Sequence, residues 1–325
     1  MPDIYPPTNL DEQIGILKKR GMTFIDEERA KKYIRYIGYK RLSWYWHPFY
    51  DETSGKFKCE MSFDDILSLY IFDRKLRMLF LEASERIEIC TKTLFSDILS
   101  LAHGSSWYLD ANLFDTKTDK FYKNNERHTE TVNHGSLMES ISEELLRHKS
   151  SNSILKNFHS IYSAKLYSWD LFQFLTFGKF SRVLELTKGN ELKEFYGLFS
   201  LPKAVFDNWI ECIVSVRNIC AHYGLFSFRT FSNKPKSLLK SDKRSFERIF
   251  SGKLQESFFA QFYIFSYFIF KISPTSSWAK RVVNEITDAE RKTSLISFEA
   301  LGFPKNWKED ALLQKMLSED QPELL

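Results

Sequence analysis

The chain of 325 residues is long enough for one large domain or two modest ones with a sizeable core. Hydrophobic residues make up 43% and charged residues 27%, as in ordinary globular proteins, while 12 Gly and 9 Pro are too few for a turn-rich all-β fold. The formal net charge of +4 permits an anionic partner such as RNA without demanding one.

The sequence lacks the features typical of disulfide-rich, secreted, membrane-spanning and metal-binding or cofactor-binding proteins. The four cysteines form no CxxC pair, so we expect reduced thiols in a cytoplasmic protein. The N-terminus has no signal-peptide layout, and the most apolar stretch, 258–270, is too short to span a bilayer comfortably. No spacing of His, Cys and Asp indicates a metal site, and no Gly-rich phosphate loop is present, so neither a metal nor a cofactor is predicted.

The first predicted elements are two helices. One begins near Thr8 or Asn9 and ends before Gly21, and the second follows Asp26 and continues to about residue 42. Residues 47–61 are predicted to form a loop or a short hairpin.

A single very long helix is predicted next. Ser62 and Asp65 form an S-x-x-D cap, and neither Pro nor Gly follows until Gly104. At a rise of 1.5 Å per residue, such a helix is about 60 Å long. Its apolar face also carries the charged residues Asp73, Arg77 and Glu88.

An irregular polar segment is predicted over 105–135, and helices follow it. Their predicted ranges are 136–148, 152–164, 168–187, 190–198, 202–223, 245–272 and 276–290. The sequence therefore predicts an all-α fold in one continuous body. Its parts are an N-terminal helical region of about 1–60, a core of about 62–290 and a tail of about 291–325.

The helix predicted over 202–223 carries polar groups in an apolar setting. On a helical wheel, Arg217 lies at the centre of a face marked by apolar side chains, and an unpaired buried guanidinium is expensive. Asn218 and His222 are four residues apart and therefore neighbours, and the helix dipole at this end stabilises positive charge. Two interpretations stay open. Arg217 pairs with Asp73, Glu85 or Glu88 of the long helix, or Arg217 binds a phosphate while His222 transfers a proton.

Arg217 and His222 fit the R-x(4–6)-H motif of HEPN-domain ribonucleases. The bare pattern is weak, since "RLSWYWH" (41–47) and "RHTETVNH" (127–134) also satisfy it, and we interpret both as chance matches. The wider sequence is more specific. The ordered segments are "IGYKRLSWYWHPF" (37–49), "LYIFDRKLRMLFLEASERIEI" (69–89), "LTFGKFS" (175–181), "VRNICAH" (216–222) and "LGFPKNW" (301–307). Together they resemble the bacterial Abi-like abortive-infection family, the AbiD/AbiF group, over about residues 10–310.

This resemblance implies a helical HEPN-type fold and a metal-independent endoribonuclease of antiphage defence. Arg217 would stabilise the phosphorane-like charge, His222 would act as general acid or base, and Asn218 would position the phosphate or the imidazole. HEPN nucleases generally pair two motifs in one cleft, so the resemblance implies a homodimer. Some similar proteins accompany a small noncoding RNA. The alternatives are a non-catalytic RNA-binding or antitoxin-like module and a purely structural scaffold.

Supporting residues are predicted on the long helix and in one basic loop. Asp73, Arg77, Glu85 and Glu88 either form ordinary helical pairs or orient Arg217 across a helix interface. The loop residues Lys234, Lys236, Lys240, Lys243 and Arg244 form either a solvated face or a set of phosphate contacts. The chain departs from the family pattern at Gln173, where Glu is usual, and in "YGLFSFR" after His222.

Overall fold

The computed structural model describes residues 7–123, 126–149, 155–156, 159–162, 166–237 and 252–318. Within them the chain is mostly helical, which confirms the predicted all-α class. The helices, numbered in chain order, are α1 (Leu10–Lys19), α2 (Glu27–Ile37), α3 (Tyr39–Trp46), α4 (Phe63–His103), α5 (His134–His148), α6 (Ser168–Phe174), α7 (Phe177–Leu186), α8 (Leu192–Leu198), α9 (Lys203–Ala221), α10 (Phe258–Ile272), α11 (Trp278–Glu290) and α12 (Ala311–Leu317). None of these helices is both long and apolar enough to cross a membrane.

The predicted long helix is confirmed as α4, which has 41 residues. Ser62 and Asp65 form a reciprocal capping box at its start, and Gly104, with a φ of 85°, ends it. Helices α3, α6, α8, α9, α10 and α11 all pack against α4. The long helix is therefore the element on which the rest of the chain, including the α9 motif, is positioned.

Aromatic side chains fill the core on both halves of α4. Phe80 and Phe95 are fully buried, and each is surrounded by other rings. The rings around Phe80 belong to Phe226, Phe258, Phe265 and Trp278, with centroids 4.7–5.5 Å away. Those around Phe95 belong to Trp107, Phe172, Phe180 and Phe195, at 5.3–6.0 Å. Edge-to-face packing of this kind adds to the stability gained from burying the rings.

Short strands accompany the helices. The strands are β1 (Met22–Thr23), β2 (Tyr50–Asp51), β3 (Lys56–Phe57), β4 (Met61–Ser62), β5 (Lys117–Lys123) and β6 (Glu126–Val132). The antiparallel β2–β3 pair confirms the hairpin expected within 47–61. The prediction that 105–135 is irregular was wrong, because β5 and β6 pair in register over seven residues each. Their sequences lack the apolar alternation by which a half-buried strand is recognised.

Several predicted helix boundaries were also wrong. Gly38, with a φ of 98°, separates α2 from α3. The helix predicted over 168–187 is two helices, because Leu175 is extended and Thr176 caps α7. Within the predicted 152–164 helix, the described residues 155–156 and 159–162 lie in turns and bends.

Two boundaries near the C-terminal end also differ from prediction. Ser257 caps α10, which therefore begins at Phe258 after a 3₁₀ turn over Gly252–Glu256, and residues 245–251 lie outside the described part of the chain. The tail carries one more helix, α12, which was not predicted although Asp310 caps its start.

Candidate active site at the end of α9

Helix α9 ends in a tight hydrogen-bonded turn that contains His222. His222 is the C-cap residue, and Tyr223 after it has a left-handed φ of 59°. The Tyr223 N–H donates to the Cys220 carbonyl at 3.2 Å, and the Gly224 N–H donates to the Ile219 carbonyl at 2.8 Å, which is the Schellman pattern. A Cβ at Gly224 would lie 3.1 Å from Ile219 Cγ2. Glycine at 224 therefore allows the chain to pass close to the helix it has just left.

Arg217 lies in a cavity of about 420 Å³ between α9, α4 and α6. The cavity is lined by Leu81, Ser84, Glu85, Glu88, Ile89, Lys92, Gln173 and Arg217. The Arg217 side chain is half-buried, and its Nη1 donates to Asn218 Oδ1 at 3.3 Å. No salt bridge to Arg217 occurs among the described residues. Its positive charge is therefore available to an anion that enters the cavity.

The two acidic residues that line this cavity, Glu85 and Glu88, have different surroundings. Glu88 pairs with Lys92, whose buried ammonium group also donates to the Leu175 carbonyl. Glu85 is exposed. Gln173, the position at which the family pattern has Glu, lines the same cavity as Arg217. This position therefore contributes a neutral carboxamide, and no negative charge, to the cavity.

His222 and Asn218 are both exposed, and neither belongs to the residues that line the Arg217 cavity. Asn218 connects the two parts of the motif, since its side chain accepts from Arg217 and its carbonyl accepts from the His222 N–H at 3.0 Å. The arrangement places a half-buried cation in a cavity and an exposed imidazole at the C-cap of the same helix. These are the groups needed to hold a phosphate and to transfer a proton beside it.

A buried ionic network fixes the chain segment that follows His222. Asp73 is fully buried and pairs with Arg77, and Asp73 Oδ1 accepts from the Phe226 N–H at 3.1 Å and the Ser227 N–H at 2.7 Å. Arg77 donates to the Gly224 carbonyl at 3.2 Å. Asp73 and Arg77 were expected to orient Arg217 if they played a supporting part. In the structure they form the helical i,i+4 pair, which was the other interpretation, and they also hold the turn after His222. A part in orienting Arg217 stays a prediction.

Tyr45 and Cys220 complete this network. The Tyr45 hydroxyl donates to Asp73 Oδ2 at 2.9 Å and accepts from Arg77 Nη1 at 3.2 Å. Burial, reinforced by the Asp73 charge, raises the pKa of Tyr45 and also that of Cys220. Burial acts to lower the pKa of Arg77, but Asp73, Tyr45 and Cys220 together outweigh this effect, and the net pKa is raised. The network therefore holds one ion pair with its neighbouring hydroxyl and thiol in their neutral forms.

Another cation near the motif, Arg41, was not predicted from the sequence. Arg41 of α3 donates to the Tyr223 carbonyl, one residue after His222. Its guanidinium carbon lies 5.3 Å from the Trp44 ring centroid and 5.8 Å from that of Tyr223. Trp44 is 39% exposed. The only sequence signal was the "RLSWYWH" segment, which we interpreted as a chance match to the motif.

The predicted basic loop is only partly described. Lys234 pairs with Glu256, and the backbone of Lys236 contacts Asn208 and Trp209. The remaining predicted contacts, Lys240, Lys243 and Arg244, lie outside the described residues. In the part of the chain that the structure describes, no group of three or more His, Cys, Asp or Glu side chains is placed to hold a metal ion.

Comparison with protein families decides the assignment, since the Abi-like protein family matches residues 32–226. The chain belongs to the Abi-like family. The matched region is more than half of the chain and runs from α2 to Phe226, so it contains α4, the Arg217 cavity and the turn after His222. Membership supports a role in abortive-infection defence. Neither the curated proteins nor the solved structures gave a significant match.

Proposed function

We propose that this Abi-like protein is a HEPN-type endoribonuclease that cleaves RNA at Arg217 and His222 during antiphage defence. One observation carries the proposal. The half-buried Arg217 guanidinium has no salt bridge within the described residues, and it shares a helix end with the exposed His222. A cation left without a carboxylate partner in a cavity is suited to bind a phosphate group.

The proposed reaction uses the 2′-hydroxyl of the RNA as the nucleophile. The 2′-oxygen bonds to the neighbouring phosphorus while its proton passes to a base, and the bond from phosphorus to the 5′-oxygen breaks as that oxygen receives a proton. Arg217 stabilises the charge that develops on the phosphoryl oxygens, and Asn218 holds the guanidinium through its hydrogen bond. The products are a 2′,3′-cyclic phosphate and a 5′-hydroxyl, and no metal ion is required.

The stoichiometry of this reaction favours a homodimer. Proton removal at the 2′-oxygen and proton donation at the 5′-oxygen occur on opposite sides of the phosphorus and use two groups in different protonation states. Each chain offers one His222, which is exposed. A second copy that presents its own His222 across the same phosphate supplies the other group.

A second function, RNA binding without cleavage, is favoured by one specific observation. His222 does not line the cavity that contains Arg217, so the two side chains could contact different phosphates of one RNA. In that case the motif acts as a phosphate clamp, either for a small noncoding RNA or in an antitoxin-like role.

An RNA cleavage assay in the presence of EDTA distinguishes these functions. We expect wild type to release fragments that end in a 2′,3′-cyclic phosphate, and Arg217→Ala and His222→Ala each to abolish cleavage. His47→Ala and Arg229→Ala are the matched controls, because both residues are exposed and lie outside the proposed site. Circular dichroism and sedimentation must show that each variant keeps its helicity and its oligomeric state.

Two results would contradict the proposal. If wild type binds RNA without cutting it and the two variants only weaken binding, the clamp function is correct. If cleavage persists in a protein that stays monomeric at the assay concentration, the composite dimer site is wrong.

A further inference from the structure

An exposed surface of two aromatic rings and one guanidinium adjoins His222. It consists of Trp44, Arg41 and Tyr223, which we call the stacking surface. The Tyr223 residue is 67% exposed and Trp44 is 39% exposed, although large aromatic side chains usually gain stability by burial. Arg41 joins them, since its guanidinium lies near both rings and is held by the Tyr223 carbonyl. The three groups are therefore ordered relative to one another before any ligand arrives.

The backbone of Tyr223 indicates that its ring serves a purpose other than folding. Its φ of 59° is left-handed, a conformation that disfavours residues with a Cβ and that helix ends normally assign to glycine. The turn even contains a glycine, but at the following position, 224. Since the ring is mostly exposed, burial does not compensate for this unfavourable conformation. Strain of this kind concentrates at functional positions.

We propose that the stacking surface binds a base of single-stranded RNA next to the phosphate held at Arg217 and His222, an inference that rests on the proposed function. Aromatic faces stack on every nucleobase, and an arginine plane adds a further face and a positive charge. Tyr223 follows His222 directly, so a base stacked there belongs to a nucleotide adjoining that phosphate. The expected ligand is therefore unpaired RNA, since bases inside a duplex do not offer their faces.

The test measures binding of a fluorescent, fully 2′-O-methylated single-stranded RNA, which the proposed reaction cannot cleave. We expect Tyr223→Gly and Trp44→Leu each to weaken binding roughly 5- to 150-fold, the range for losing one stacked base. Tyr223→Phe keeps the ring and should bind like wild type. Tyr162→Ala is the matched control, because Tyr162 is 62% exposed elsewhere on the chain.

Two further measurements separate stacking from charge. An abasic strand of equal length should bind wild type more weakly but lose less affinity on Tyr223→Gly, because the ring no longer has a base to contact. The salt dependence of binding should be unchanged in Tyr223→Gly and weaker in Arg41→Ala, since only the arginine contributes positive charge.

Three outcomes would overturn the inference. They are wild-type affinity in both Tyr223→Gly and Trp44→Leu, absence of RNA binding by wild type, and a change of oligomeric state in Tyr223→Gly, which would make this surface a contact between copies of the chain. The cleavage assay can contradict the proposed nuclease without contradicting the stacking surface, and the binding assay can do the opposite. Ring-dependent binding without cleavage keeps the stacking surface and rejects the nuclease, whereas ring-independent cleavage does the reverse.

Discussion

Replacing Asp73 by alanine tests whether the buried network holds the turn that follows His222. The Asp73 carboxylate is fully buried and accepts hydrogen bonds from Tyr45, Arg77, the Phe226 N–H and both the N–H and hydroxyl of Ser227. Asp73→Ala removes all of these acceptors and leaves Arg77, which is only 4% exposed, without its carboxylate. Breaking one side of a buried ion pair costs about 3–5 kcal/mol.

We therefore expect Asp73→Ala to lower the free energy of unfolding by about 4 kcal/mol, a large part of the roughly 5–15 kcal/mol typical of a folded protein. The loss should be smaller than the sum of the separate hydrogen bonds, because the turn relaxes and water reaches Arg77. Because the same bonds hold the segment after His222, any folded Asp73→Ala protein should also cleave RNA more slowly.

Equilibrium unfolding in urea, followed by far-ultraviolet circular dichroism, measures this loss. Asp115→Ala is the matched control, since Asp115 pairs with Lys188 at 3.2 Å on the surface, where such pairs contribute less than about 1 kcal/mol. Replacing Asp73 and Arg77 together by leucine should cost less than the two single changes combined. A loss below about 1 kcal/mol in Asp73→Ala would refute the reasoning, because the carboxylate would then not be holding the turn.

Three further predictions address other parts of the molecule. Tyr223→Gly should raise the free energy of unfolding by about 1 kcal/mol, measured in urea, because glycine accepts the left-handed backbone without strain; a loss would contradict this. In a thiol-reactivity assay the exposed Cys59 should react in the folded protein, whereas Cys220, which is buried and whose pKa is raised by burial, should react only on unfolding. Lys92→Met should cost about 2 kcal/mol in thermal or urea unfolding, because Glu88 and a buried carbonyl lose their partner; an unchanged stability would mean that water replaces the ammonium group.

Helix starts were predictable where a side chain closes the first turn. Asn9 and Ser62 form capping boxes at the starts of α1 and α4, as their sequences indicate. The breaks at Gly38 and Thr176 were missed because the apolar spacing continues across both positions, and an apolar pattern alone does not show whether the backbone stays helical. The β5–β6 hairpin was missed because its polar strands lack a period-two apolar face.

The residues of the motif were predictable, but their surroundings were not. The helical wheel placed Arg217 at the centre of a buried face, whereas the structure leaves it half-buried beside a cavity. A helical wheel also does not show which residues of one helix lie opposite which residues of its neighbour. Helices α4 and α9 pack antiparallel. Asp73 and Arg77 therefore contact the turn after His222, whereas Glu85 and Glu88, further along α4, line the same cavity as Arg217. Whether these carboxylates and the basic loop support RNA cleavage stays a prediction.

The turn after His222 has a buried side and an exposed side, and the two should respond oppositely to mutation. On the buried side, Asp73 and Arg77 satisfy the backbone of 224–227, so changes there lower stability. On the exposed side, Tyr223 strains the backbone and presents its ring to solvent. We therefore expect removal of the ring to raise stability and, if the proposed stacking occurs, to weaken RNA binding. A protein selected for stability alone would place glycine at 223. Opposite signs for stability and RNA binding in Tyr223→Gly therefore distinguish a ring kept for its ligand from one kept for the fold.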